Sequence, residues 1–175
     1  MIRILFLTAA VAALVAAFAF SGVFEAARKP LPARARADLV VIEKDAHRMT
    51  LYARGRVLRR YVVALGSGGA AAKTRLGDNL TPEGHYEIDG RDGASDFYRA
   101  LHISYPSKMD RKVAAARLVS PGGGIAIHGL RNYTGWIGRW HRALDWTDGS
   151  IAVTDDEMDE IWRAVANGTP VEIRR

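Results

Sequence analysis

Ile125-Ala126-Ile127-His128-Gly129 and, further along, Asp145-Trp146-Thr147-Asp148-Gly149-Ser150-Ile151-Ala152-Val153 are the two stretches on which the fold and chemistry of this chain turn. Each joins a short aliphatic run, of the kind a buried strand carries, to a polar residue and a glycine. The first delivers an imidazole at a strand end, and the second a hydroxyl at the entry to the next strand. A base and a hydroxyl on neighbouring strand ends can meet within hydrogen-bond reach, as an activated nucleophile requires. By pattern alone the plainer reading stands ahead: a hydrogen-bonded core histidine and a turn serine.

Working outward, Leu39 to Glu43, Met49 to Ala53 and Arg56 to Leu65 are short alternating or β-branched runs broken by Lys44-Asp45 and Arg54-Gly55, the pattern of a β-meander. Gly66 to Pro82 is a long polar, glycine-rich loop, a length usually tied to function. Gly84 to Ile88 and Arg99 to Tyr105 are further strands. A helix is expected over Lys108 to Leu118, with Met109, Val113 and Leu118 on its apolar face. Thr154-Asp155-Asp156-Glu157 is a capping box that opens a second helix, expected to run to Ala166 and stop at Asn167-Gly168. Val171 to Ile173 is a last strand. The expectation is one mainly β domain, sandwich or meander, with one or two flanking α-helices.

The N-terminus is of another kind. A single early cation, Arg3, precedes an apolar run from Ile4 to Phe20, the layout of an export signal. Residues 1–24 are read as a signal peptide or an N-terminal membrane anchor, residues 25–37 as a basic Pro/Ala linker, and residues 38–175 as the folded domain. The basic linker just beyond the apolar run favours cleavage over anchoring. A periplasmic or otherwise extracytoplasmic location follows, with membrane contact only through this segment if it is uncleaved. The net charge of +6 comes from scattered cations without an aromatic-basic motif, so nucleic acid is set aside as a partner. An anionic wall polymer or lipid surface fits the charge better, and a plain solubilising excess fits it as well.

Taken together, His128-Gly129, the Asp-Trp-Thr-x-Gly-Ser block and the ordered stretches Gly77-Asp78 through Gly84, Leu101 to Pro106 and Pro121 to Gly129 resemble the YkuD-type L,D-transpeptidase family. The resemblance spans about Leu39 to Ile173 and points to a subgroup carrying Asp-Trp-Thr-x-Gly-Cys, with Ser150 where that cysteine stands. It implies an L,D-transpeptidase-like catalytic domain that attacks peptidoglycan stem peptides and passes the acyl group to an amine or to water. By position it makes Ser150 the nucleophile, His128 the base and the Gly149 and Ser150 amides oxyanion donors. Asp148 stands where many members carry a second histidine. A wall-linked lipoprotein is a further candidate acceptor, and no cofactor is implied.

Around this core, Gly129, Tyr105, Arg139, Trp146 and Asp148 are candidate substrate contacts, Arg139 together with Arg131 for a stem-peptide carboxylate. Each has a plainer role available, in packing or as a solvated charge. Asp145 or Asp148 can in principle complete a Ser-His-Asp set. His128, His141, Asp145 and Asp148 are metal-ligand types but lack rigid ligand spacing, so no metal site is assigned. Serine in a site shaped for a thiolate predicts reduced activity, and the competing class is a non-catalytic peptidoglycan-binding pseudoenzyme.

Overall fold

In the computed structural model residues 29–175 are described, so the expected signal or anchor lies outside the described residues. Leu31–Arg175 forms a compact unit. Leu31 and Ala37, within the segment read as a linker, are buried: the Leu31 amide donates to Glu160, and the Ala37 amide to the Ala164 carbonyl. Among the described residues no helix is long and apolar enough to cross a membrane.

The alternating runs form strands β1 (Leu39–Glu43), β2 (Arg48–Ala53), β3 (Arg56–Val62), β4 (Gly84–Asp92), β5 (Ala100–Ile103), β6 (Ala126–His128), β7 (Ile151–Ala152) and β8 (Pro170–Arg174). They hydrogen-bond in the order β3-β2-β1-β8-β4-β5-β6-β7. The first three are the expected meander, but β8 inserts beside β1 as a parallel neighbour and β4 runs antiparallel to β8. Just past β3, Ala64 exchanges two backbone hydrogen bonds with Ala152 of β7. The sheet is therefore curled until its two ends meet.

Inside the curl lie Ile42, Met49, Leu51, Ile88, Leu101, Ile103, Ile127 and Ile151, all fully buried. Each such side chain contributes about 1.5–3 kcal/mol by leaving water. Helix α2 (Asp155–Ala164) closes one side by burying Met158, Ile161 and Ala164. Its capping box is present: Thr154 accepts from the Glu157 amide and Glu157 from the Thr154 amide. It ends short of the expected Ala166.

Helix α1 (Lys108–Ala116) corrects the expected apolar face. Met109, Val113 and Leu118 are exposed, and the buried helical residue is Ala114. The helix rests on the domain through a small side chain, which allows close approach and carries little hydrophobic signal. Ser107 and Asp110 form a second capping box. A 3-10 segment (Gly135–Ala143), kinked at Gly138, occupies the aromatic-rich stretch read as irregular.

Candidate active site

His128 ends β6 between two partners, facing Ala100 of β5 and Ala152 of β7. A central strand end with ladder contacts on both sides holds the backbone rigidly. The imidazole is 5 % exposed and wedged between Phe97 and Trp146, with ring centroids 4.7 and 5.7 Å away. Its Nδ1 lies 2.7 Å from the Gly129 carbonyl. Since that oxygen can only accept, Nδ1 carries the proton and Nε2 keeps a lone pair. Burial pushes the His128 pKa down from histidine's ordinary value, the Gly129 carbonyl offsetting part of the effect. The group is thus a neutral base.

Glycine at 129 is a steric requirement. A Cβ there would sit 2.7 Å from the Asp155 carboxylate and 2.9 Å from Tyr98.

Ser150 closes a turn built by Thr147. The Thr147 hydroxyl accepts from the Gly149 amide at 3.1 Å and donates to the Ser150 carbonyl at 2.7 Å. Thr147 is tied to the chain beyond β3, its amide to the Leu65 carbonyl and its carbonyl to the Ser67 amide. Gly149 has φ +120°, and a Cβ on it would lie 2.4 Å from the Leu80 carbonyl oxygen. Threonine and glycine at this spacing thus follow from the turn itself, which uses only the backbone carbonyl of residue 150. Ser150 Oγ accepts from the Ala126 amide at 3.1 Å, which draws the hydroxyl toward β6.

Both side chains line one cavity of about 830 Å³. Its walls include Phe97 from the β4–β5 connection, Ala126 and His128, Ile137 and His141 from the 3-10 segment, and Trp146, Asp148 and Ser150 from the turn. Among the described residues no direct hydrogen bond joins His128 to Ser150; each is held by its own backbone partner.

Trp146 and Asp148, expected at the site, line the cavity. Tyr105 and Arg139 do not. Tyr105 is a core residue whose hydroxyl donates to the Pro121 carbonyl; burial, then the nearby Asp110 and Asp78 charges, pushes it up to about 12. Arg139 is exposed away from the cavity lining, where Arg131 stands instead. Gly129 supplies the carbonyl that orients His128 rather than a cavity surface. The Gly149 amide is engaged by Thr147, so it is no free oxyanion donor.

Asp145 does not reach His128 either. Its carboxylate takes the Leu65 amide at 2.8 Å and lies 2.9 Å from His47 Nε2. Asp148 is exposed, leaving the backbone carbonyl of Gly129 as the partner of the His128 ring. The Gly66–Pro82 loop, whose length pointed to a functional role, contributes nothing to the cavity lining. It packs behind the Gly149 turn instead. Phe97, Ile137 and Arg131 join the site through tertiary packing, and no sequence motif marks Phe97 or Ile137.

Residues 37–173 match the YkuD family, the L,D-transpeptidase catalytic domain, and the chain belongs to that family. No curated protein matches it in sequence. Among solved structures its fold is similar to the L,D-transpeptidase of Xylanimonas cellulosilytica, with TM-score 0.52 and 19% identity over 88% of this chain and 68% of that one. It is also similar to the helical cell shape determining protein Pgp2 of Campylobacter jejuni, with TM-score 0.59 and 22% identity over 81% of this chain and 49% of that one. A cysteine-to-serine mutant of an Enterococcus faecium L,D-transpeptidase gives TM-score 0.52 and 15% identity over 80% of this chain and 50% of that one. The chain thus covers about half the length of the latter two proteins. These likenesses show the fold: a curled, mainly β sheet with helices, as in L,D-transpeptidase catalytic domains.

Proposed function

We propose that this protein acts outside the cytoplasmic membrane on peptidoglycan stem peptides, as a slow acyl-transfer enzyme of the Asp-Trp-Thr-x-Gly-Cys subgroup with Ser150 in the cysteine's place. The observation that carries the reading is the shared cavity of His128 and Ser150, with the imidazole neutral and its Nε2 lone pair available.

In the proposed cycle the Ser150 oxygen forms a bond to a stem-peptide carbonyl carbon while His128 Nε2 takes the hydroxyl proton. The carbonyl oxygen becomes an oxyanion, for which the Ser150 amide is the nearer candidate donor now that Gly149 is engaged. Collapse breaks the C–N bond, and His128 returns the proton to the leaving amine. An acyl-Ser150 ester remains. An incoming amine, from another stem or a wall-linked lipoprotein, yields a cross-link; water yields cleavage. No cofactor enters this scheme.

The reduced rate has a physical origin. A thiol beside histidine ionises before substrate arrives, whereas serine must lose its proton during attack. Among the described residues His128 has a backbone carbonyl in place of the carboxylate that stabilises imidazolium in serine triads. That same observation favours the second reading, a stem-peptide-binding pseudoenzyme.

Intact-mass analysis after incubation with a carbapenem and with stem tetrapeptides tests the proposal. A mass increase on Ser150 supports the enzyme. Binding without any adduct supports the pseudoenzyme, and neither binding nor adduct would sink both. Fractionation tests the location, since full-length protein in the soluble cytoplasm would contradict it.

A further inference from the structure

The cavity wall carries a titratable group that the proposed cycle does not use. His141, on the 3-10 segment, is 9 % exposed and stands edge-on to Trp146, with ring centroids 6.3 Å apart. The indole nitrogen can only donate, and it donates to His141 Nδ1 at 3.4 Å. Nδ1 is therefore unprotonated, and the neutral ring carries its proton on Nε2. Burial, then the positive charge of Arg142, pushes the group down to about 4, so this neutral tautomer persists at ordinary pH. The Nε2–H is buried and, among the described residues, has no hydrogen-bond partner. Unpaired buried donors are rare and costly, and a catalytic role or a missing ligand or water is the usual explanation.

We propose that His141 is a substrate-holding residue whose Nε2–H donates to a backbone carbonyl oxygen of the peptide that enters the cavity beside His128. The inference rests on the stem-peptide reading above. A neutral donor suits a neutral acceptor: a carboxylate is better met by a cation, and Arg131 stands at the same cavity for that purpose. His141 lines the cavity with its Nε2 buried, and the kink at Gly138 gives the 3-10 segment a place to yield as the peptide seats. Trp146 becomes a positioning residue, because its indole selects the His141 tautomer.

The test measures binding of a synthetic peptidoglycan tetrapeptide to the full-length chain and to His141→Phe and His141→Gln. Glutamine offers an amide oxygen to Trp146 and an NH₂ to the substrate, so it should bind within a few-fold of the parent. Phenylalanine keeps the packing without the donor and should weaken binding roughly tenfold. Its melting temperature should change little, because loss of the orphan Nε2–H is offset by leaving the Trp146 indole N–H without its acceptor. In ¹⁵N-histidine-labelled protein the His141 Nε2–H signal should shift on adding the tetrapeptide. Equal binding by His141→Phe, or a His141 signal that ignores bound peptide, would overturn the proposal. Failure of the parent chain to bind would instead overturn the stem-peptide reading, and this inference with it.

Discussion

Ser150 and His128 are joined by a cavity and not by a hydrogen bond, and the consequence is one of ionisation. A thiol at position 150 would populate a thiolate before substrate arrives, whereas the hydroxyl waits on His128. Ser150→Cys should therefore raise acyl transfer to stem peptides by about 10²-fold or more, and His128→Ala should remove that gain. Tetrapeptide turnover followed by mass spectrometry checks both. Because burial lowers the His128 pKa from its ordinary value of 6.5, protonation of the ring is displaced to lower pH, and any acid limb of the serine form's rate should lie below that value. A limb above 6.5 would mean that the ring is less enclosed than this geometry requires. Gly149→Ala is expected to abolish adduct formation, since φ +120° and the 2.4 Å approach to the Leu80 carbonyl leave no room for a methyl group.

At the level of elements, the Gly66–Pro82 loop is a brace. Lys73 pairs with Asp78 at 2.7 Å, both nearly buried, and Asp78 also takes the Thr74, Arg75 and Leu80 amides. Burial alone would raise the Asp78 carboxyl, but Lys73 and these amides outweigh it and hold it down to about 2. Buried Lys44 fastens the same loop through the Ala71 and Thr81 carbonyls and Glu83. Leu80, whose carbonyl faces Gly149, follows directly on these anchors. Asp78→Asn leaves the Lys73 ammonium unpaired and should cost about 3–5 kcal/mol, read by chemical denaturation. It should also lower adduct formation at Ser150 if the brace holds the turn. A loss below 1 kcal/mol would show that the loop is not held by this pair.

For the whole molecule, acid should weaken the fold in two separate windows. Histidine in an unfolded chain takes a proton near 6.5, but folded His141 resists down to about 4. Between these values the unfolded chain binds more protons, so stability falls as pH drops from about 6.5 to about 4, by on the order of 2 kcal/mol from this group. His128 acts in the same direction. Asp78 follows the same proton bookkeeping at lower pH, the unfolded carboxyl taking its proton first: its stabilisation is complete above about 3.8 and is lost as pH falls toward 2. Denaturation midpoints across pH 2–7 should show both declines, and His141→Phe should flatten only the upper one. A midpoint indifferent to pH between 4 and 6.5 would contradict the enclosure of both histidines.

Alternation along β1 to β3, the Thr154 capping box and the strand-ending His128 were legible in the sequence because they obey local rules: period two, a capping hydroxyl, an aliphatic run. The family blocks likewise marked His128 and Ser150. Helix α1 misled because its buried face rests on Ala114, a residue that hydropathy barely registers, while Met109 and Leu118 face solvent. Insertion of β8 beside β1, the meeting of Ala64 with Ala152, and the engagement of Asp145 by His47 join residues distant in the chain. No local pattern encodes such pairings. The sequence by itself determined the strands, the helix start and the residue types of the site. Only the tertiary structure decided that Gly129 rather than an aspartate orients the His128 ring, that Thr147 occupies the Gly149 amide, and that His141 enters the wall. Each of these depends on which buried polar group lies within hydrogen-bond reach of which other once the sheet has curled.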